Sequence, residues 1–332
     1  MAAAKNHADE DARSIVTTRL IDAPCALVFE AWTSAEHLGK WWGPNGFTTT
    51  TSAFEFREGG EWRFVMHGPD GRDYENRITY DEIKPPHLIR YHHGGGGETA
   101  HIQFRSVVSF EQEGAATRLT LRAVFATAEE RDRVAREVGA EEGGRQTVAR
   151  LAEHVAVEIM ERGGEDVFEI SRWFDAPREL VWEAMTEAKH LAHWWGPSAF
   201  TIGECSVNLR VGGVFHYSMR AKTGDGEMWG RFTYMEIGAP ARLVYMVSFS
   251  DAEGGVTRAP FAGDWPLEML NVVTLGEEKG GTRLDLKSAA YNASGAERAT
   301  FKQGFASMRG GFGGTYDQLD AYLKKLAEGG AP

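Results

Sequence analysis

The chain has 332 residues, 42% of them hydrophobic and 25% charged, with a formal net charge of −12. Both halves are acidic and neither holds a basic block, which argues against nucleic acid or an anionic membrane as partner. No apolar run approaches the roughly 18 residues of a membrane span, and the length suits two domains of about 100–200 residues each.

In chain order, Met1 to Asp11 carry Lys5, then His7, Asp9, Glu10 and Asp11. Without the apolar segment of a signal peptide, this stretch reads as a frayed tail. Ser14 to Ile21 is rich in β-branched residues and is expected to be a strand. Asp22-Ala23-Pro24 ends it and starts a helix, with Asp as cap and Pro in the first turn. Leu27, Val28, Ala31 and Trp32 form a short helical stripe. Thr33-x-x-Glu36 is a capping-box pattern for a second short helix carrying Leu38, Trp41 and Trp42. Gly43 and Pro44 stop that helix. From Phe47 the period changes to two. Strands are expected over 48–56, 61–67, 75–83, 88–92, 101–112 and 116–125, separated by turn signals that include Gly59-Gly60 and the glycines 94–97. Thr127-x-x-Glu130 is a further capping box. After Gly143-Gly144, residues Val148, Leu151, Val155 and Ile159 mark one face of a long helix.

The order then repeats. Trp41-Trp42-Gly43-Pro44 returns as Trp194-Trp195-Gly196-Pro197, and Asp22-Ala23-Pro24 as Asp175-Ala176-Pro177, both displaced by 153 (194 − 41 and 175 − 22). A period that long marks a duplicated domain rather than a solenoid unit. The expected domains are 13–163 and 165–329, joined through a short linker at 161–166. The second copy has its own capping box at Ser294-x-x-Glu297. Its last helix runs through Tyr316, Leu319, Tyr322, Leu323 and Leu326, and Gly310-Gly311-x-Gly313-Gly314 is expected to open it. Offsets of 165 (272 − 107) and 154 (231 − 77) on either side place an insertion of 11 residues (165 − 154) within 250–266, a loop holding Trp265 that is suited to cover a pocket. Cys25 and Cys205 are not a duplicated pair and no Cys-x-x-Cys exists, so a reduced, cytoplasmic protein is expected.

The run from Ile170 to Thr186, His193 to Pro197, Thr282-Arg-Leu-Asp-Leu286 and Ser307 to Leu323 resembles the Hsp90-ATPase-activator-like family, within the START/Bet v 1-like superfamily of helix-grip proteins. The second copy matches along nearly its whole length. The first matches best from Arg19 to Pro44, and has Gly139 to Gly144 where the second has Met308 to Gly314. The resemblance implies an α+β fold in each domain: a curved antiparallel β-sheet wrapped around a long C-terminal α-helix, with two short helices after the first strand. It also implies a cavity between helix and sheet. The family takes its name from a co-chaperone whose separate N-terminal domain, its main chaperone contact, has no counterpart here.

Several residues are candidates for a ligand site. In each Trp pair one ring is expected to be structural and the other to meet the cavity mouth or a domain contact, because adjacent helical residues point about 100° apart. Trp62, Phe64 and Met66, with their counterparts Phe215, Tyr217 and Met219, alternate onto one sheet face toward the long helix. With Trp41, Trp42, Trp194, Trp195, Trp265, Met308 and Phe312 they form the candidate apolar binding set. Against each stands plain core packing.

His190-x-x-His193 has a metal-like spacing, but the first copy has His37 and Lys40 there, so no metal is expected. His92, His93 and His101 flank a Gly-rich loop as a weaker metal or acid–base set. No nucleophile–base set, Walker loop or cofactor motif is present, so neither catalytic residues nor a cofactor are assigned. Arg210, His216, Tyr217, Arg231 and Tyr234 are the polar candidates of the second copy.

The leading expectation is a tandem module that binds an apolar or amphipathic small molecule in one or both cavities, with the second domain as binder and the two copies arranged as an intrachain pseudo-dimer. A cyclase- or hydrolase-type enzyme is the second reading. A chaperone-associated stress protein is the third.

Overall fold

A computed structural model describes residues 10–97, 100–223 and 226–329. The frayed tail expected over residues 1–11 falls, up to residue 9, outside the described residues. The chain divides into two compact units, Met1–Ile159 and Met160–Pro332.

The first domain runs β1 (Ser14–Ile21), α1 (Cys25–Glu30), α2 (Ala35–Trp41), β2 (Thr48–Phe54), β3 (Glu61–His67), β4 (Asp73–Lys84), β5 (Leu88–Gly95), β6 (Gln103–Glu113), β7 (Ala116–Val124), α3 (Ala128–Val138) and α4 (Ala140–Arg162). The second runs β8 (Phe168–Phe174), α5 (Arg178–Thr186), α6 (Ala188–Trp194), β9 (Phe200–Val207), β10 (Val214–Ala221), β11 (Glu227–Gly238), β12 (Arg242–Ser250), β13 (Val256–Thr257), β14 (Glu268–Glu278), β15 (Gly281–Tyr291), α7 (Gly295–Gln303) and α8 (Phe305–Ala327). Each is an α+β helix-grip domain. The sheets are antiparallel, in the orders β1-β7-β6-β5-β4-β3-β2 and β8-β15-β14-β12-β11-β10-β9. Register shifts at Tyr80/Glu82 and Tyr234/Glu236 fall at matching places and bend each sheet around its helix. No helix among the described residues is long and apolar enough to cross a membrane.

The duplication extends to single hydrogen bonds. Thr117 Oγ1 donates to Ala23 O and Thr282 Oγ1 to Ala176 O, both at 2.7 Å. These bonds pin the Asp-Ala-Pro turn to the sheet. Trp41 Nε1 donates to Ala31 O at 3.0 Å and Trp194 Nε1 to Ala184 O at 2.9 Å. Thr147 and Thr315 each donate to a carbonyl four residues earlier, that of Gly143 or Gly311. This last pair fixes the register between α4 and α8.

Several local expectations change. The cap of α2 is Ser34, whose extended backbone lets its hydroxyl accept from His37 N, while Thr33 Oγ1 donates to Glu30 O instead. Asp22 does not cap α1; the capping position is Pro24, with no side-chain bond. Gly94 and Gly95 lie inside β5 rather than in a turn. Gly143-Gly144 sit within α4, which starts at Ala140, and Gly310 to Gly314 lie inside α8, which starts at Phe305. Packing of Phe305, Met308, Phe312 and Tyr316 on the core outweighs the weak helix propensity of those glycines. The structural register also pairs Gly144 with Phe312, so the two glycine runs are offset from one another by two residues relative to the sequence match.

A candidate ligand cavity in the first domain

The two rings of each Trp pair have separate tasks. Trp41 and Trp194 are 1% exposed and tied to α1 and α5 by their indole N–H groups. Trp42 and Trp195 follow the last helical turn in extended backbone, ψ 128° and 134°, which turns their rings toward the sheet. Trp42 lies edge-on to Trp62 at 4.9 Å, and Trp195 to Phe232 at 5.2 Å. Gly43 and Gly196 then take φ of +106° and +99°, open to glycine. Arg150 caps this turn, donating to the carbonyls of Gly43, Pro44 and Phe47; Gln318 does the same for Trp194 and Gly196.

A cavity of about 490 Å³ opens between sheet and helices in the first domain. This is within the usual range for a small-molecule site. Trp42 and Met66 are on its wall, whereas Trp41, Trp62 and Phe64 are core residues that do not line it. The helical wall is Val134 from α3 and Ala140, Gly143, Gly144 and Thr147 from α4; the sheet supplies Ile15, Thr17, Leu121 and Ala123. Gly139 separates the two helices with φ +62°, in the left-handed conformation.

Polar groups converge at one place. Asn76 Nδ2 donates to Tyr74 O at 2.8 Å, so its Oδ1 is the atom that meets His93 Nε2 at 3.0 Å. That assigns the proton to Nε2 and leaves His93 Nδ1 as an acceptor; Nδ1 is buried and has no hydrogen-bond partner. Burial pushes the His93 pKa down to about 4, so the ring is neutral at pH 7. Burial also raises the neighbouring Tyr91 phenol to about 12. The sequence offered His93 only as part of a loop set with His92 and His101. The structure separates them. His92 pairs with Asp81 on the other sheet face, and His101 lies 3.9 Å from Glu137.

In the second domain, Phe215 and Tyr217 are buried in the core beside a half-buried Met219. Phe312 stacks on Phe168 at 5.7 Å, and Met308 packs against the same core. Trp265, from the inserted loop, packs on Phe301 at 5.5 Å and against Gly304, where an added Cβ would meet its ring at 2.8 Å. The loop therefore covers the α7–α8 junction. The polar candidates do not converge. Arg210 is exposed, His216 and Arg231 hold the β12–β13 turn, and Tyr217 and Tyr234 are buried on the opposite face. His190 and His193 both engage Tyr322, by a 2.8 Å hydrogen bond and by stacking.

A third cluster has no obvious sequence signal except the i,i+4 pair His154 and Glu158 on α4. His37 Nδ1 lies 2.9 Å from His154 Nε2 and 4.0 Å from Glu158 Oε1. Burial, followed by the fields of His37 and Lys40, lowers the His154 pKa to about 4.

The family model for "Activator of Hsp90 ATPase homolog 1-like protein" matches residues 22–156 and again 175–324. Among solved structures, an Arthrobacter aurescens protein is 26% identical over 45% of this chain and 89% of its own, with a TM-score of 0.42. A Mycobacterium smegmatis protein is 22% identical over 46% and 93%, with a TM-score of 0.40. The di-domain ARO/CYC BexL from the BE-7585A biosynthetic pathway is 16% identical over 94% and 98%, with a TM-score of 0.47. No curated protein matches.

Proposed function

The chain belongs to the family of Activator of Hsp90 ATPase homolog 1-like proteins, carrying two copies of its domain, and from that premise we propose that it is a small-molecule binding protein whose first domain holds the ligand. The ligand is apolar or amphipathic and carries one O–H or N–H donor. The observation that carries this reading is the pairing of a roomy, mostly carbon-lined cavity with two lining residues that bury an unpartnered polar atom, His93 Nδ1 and Ser106 Oγ; of these the neutral imidazole nitrogen can only accept. An empty buried acceptor costs about 1–3 kcal/mol, and a ligand hydroxyl relieves that cost. Trp42, Met66 and Leu121 supply contact area, while Asn76 holds the imidazole in the accepting tautomer.

This moves the expected binder from the second domain to the first. Trp62 and Phe64 then act as the floor beneath Trp42, and Phe215, Tyr217, Met219, Trp265, Met308 and Phe312 as packing in a scaffolding domain.

The test is a calorimetric titration of the full chain with 2-naphthol and with naphthalene. The expected result is saturable binding of both, with naphthol tighter by about tenfold, one hydrogen bond's worth. His93→Phe should remove the preference. Equal affinities in the wild type would overturn the donor requirement, and no binding of either would overturn the cavity reading. The enzyme reading asks for proton transfer by His93, and a ring held neutral down to about pH 4 is a weak base. A chaperone partner rests on the family's name alone; stimulation of a bacterial Hsp90 ATPase by the purified chain would favour it.

A further inference from the structure

We propose that His37, His154 and Glu158 form a zinc-binding site that clamps α2 onto the C-terminal half of α4.

Two imidazoles and a carboxylate are a donor set suited to Zn²⁺, whereas Ca²⁺ and Mg²⁺ favour all-oxygen shells. The three donor atoms lie within 4.8 Å of one another. Tetrahedral zinc with bonds of about 2.0–2.1 Å needs ligand atoms about 3.3 Å apart. The 2.9 Å and 4.0 Å separations reach that by side-chain shifts of under about 1 Å. All three side chains are half-buried, so an ion can enter and a water can take the fourth position. Lys40 also reaches His154 electrostatically, and its charge offsets part of the attraction of Glu158.

The second domain supplies an independent argument. By the register of Thr147 and Thr315, the equivalents of His154 and Glu158 are Tyr322 and Leu326. There the same helix contact is made by the bond from His190 Nδ1 to Tyr322 OH and by apolar packing of Leu326. The fold is thus built without the trio: the His37–His154 hydrogen bond makes this contact in the first domain, and Glu158 adds a third ligand-type side chain where the second domain has Leu326. The site is separate from the cavity. Thr147, the wall residue of α4 nearest to it, precedes His154 by seven residues (154 − 147), about 10 Å along the helix. Zinc binding therefore stands or falls independently of the small-molecule reading.

The test uses the tag-free full chain, stripped with chelator and titrated with ZnCl₂ by calorimetry. Co²⁺ absorption reports geometry, and X-ray absorption reports the ligands. The expected result is one zinc per chain with two imidazoles in its shell. Glu158→Gln should weaken binding about tenfold, and His154→Tyr, which imports the residue of the second domain, about a hundredfold or more. His101→Ala, on an exposed histidine outside the cluster, should leave it unchanged. If His154→Tyr does not fold by circular dichroism, Glu158→Gln and the absorption spectrum decide. Absence of saturable binding at micromolar zinc, unchanged affinity in Glu158→Gln, or a shell without imidazole would each overturn the proposal.

Discussion

The two domains share turns, caps and single hydrogen bonds, yet diverge where the long helix begins. Along α3 and α4 the inward positions are Val134, Ala140, Gly144 and Val148; along α7 and α8 they are Phe301, Met308, Phe312 and Tyr316. Across the sheet, Ile15 opposes Ala123 where Phe168 opposes Ser288. At every helical position the first domain has the smaller residue. The helices also meet differently, through left-handed Gly139 in one case and Gly304 at φ −71° beneath Trp265 in the other. One fold thus carries a cavity in one copy and larger, partly aromatic side chains at the matching place in the other, beside a different helix junction and an inserted loop.

The largest expected effect tests what the domains share. Trp41→Ala and Trp194→Ala should each cost about 3–5 kcal/mol, measured as denaturant unfolding of the domain concerned, because each deletes a fully buried indole and its hydrogen bond. A loss below about 1 kcal/mol in either would break the equivalence. Next comes Phe312→Ala, expected to cost about 2–3 kcal/mol, less than a full core deletion because the ring is half-buried. It should also create a second naphthol site; a single site in this variant would show that volume at 312 is not what separates the domains.

The acid limb separates them in a different way. His93 has its folded pKa lowered from 6.5 to about 4, so the unfolded chain binds its proton first. The first domain should lose stability as pH falls from about 6.5 to about 4, by on the order of 3 kcal/mol for this residue. His93→Phe should remove its share of that limb in a pH series of unfolding curves, leaving the share of His154, whose pKa is also lowered to about 4. In the second domain Glu297 is held down to about 2 by Arg258 and by the Ser294 cap. Its contribution is present above the unfolded carboxylate range and is lost as pH falls from about 4.5 toward 2. Glu297→Gln should remove it, a change of about 1 kcal/mol at neutral pH. Identical acid limbs in both domains would contradict this assignment.

Much of the fold was legible in the sequence. The period change at Phe47, the Gly and Pro turns and the spacing of Val148, Leu151 and Val155 are local signals, and β1, β3 and β7 follow from them closely. The capping boxes at Thr127 and Ser294 mark the starts of α3 and α7 correctly, but the starts of the two long helices were not legible, because glycine in a helix is decided by what its neighbours bury, as at Phe305 and Phe312. The aromatic trios mark the core side of each sheet, but composition cannot tell a wall from a floor. Trp62 and Phe64 became floor while Met66 reached the cavity. His93 was misplaced in a loop because β5 extends through the glycines. The partners that give His93 and His37 chemical meaning, Asn76 and His154, are 17 and 117 residues away.

The central claim, that the ligand cavity exists because α4 is small where α8 is large, is tested most directly by Gly144→Phe. This change places the side chain of Phe312 at its counterpart. An added Cβ there meets only the Thr17 hydroxyl closely, at 2.9 Å, and replacing a helical glycine by phenylalanine adds about 0.5 kcal/mol of propensity. A 2-naphthol titration of this variant beside the wild type should show binding abolished, with the domain still folded. Undiminished binding in the folded variant would contradict the account.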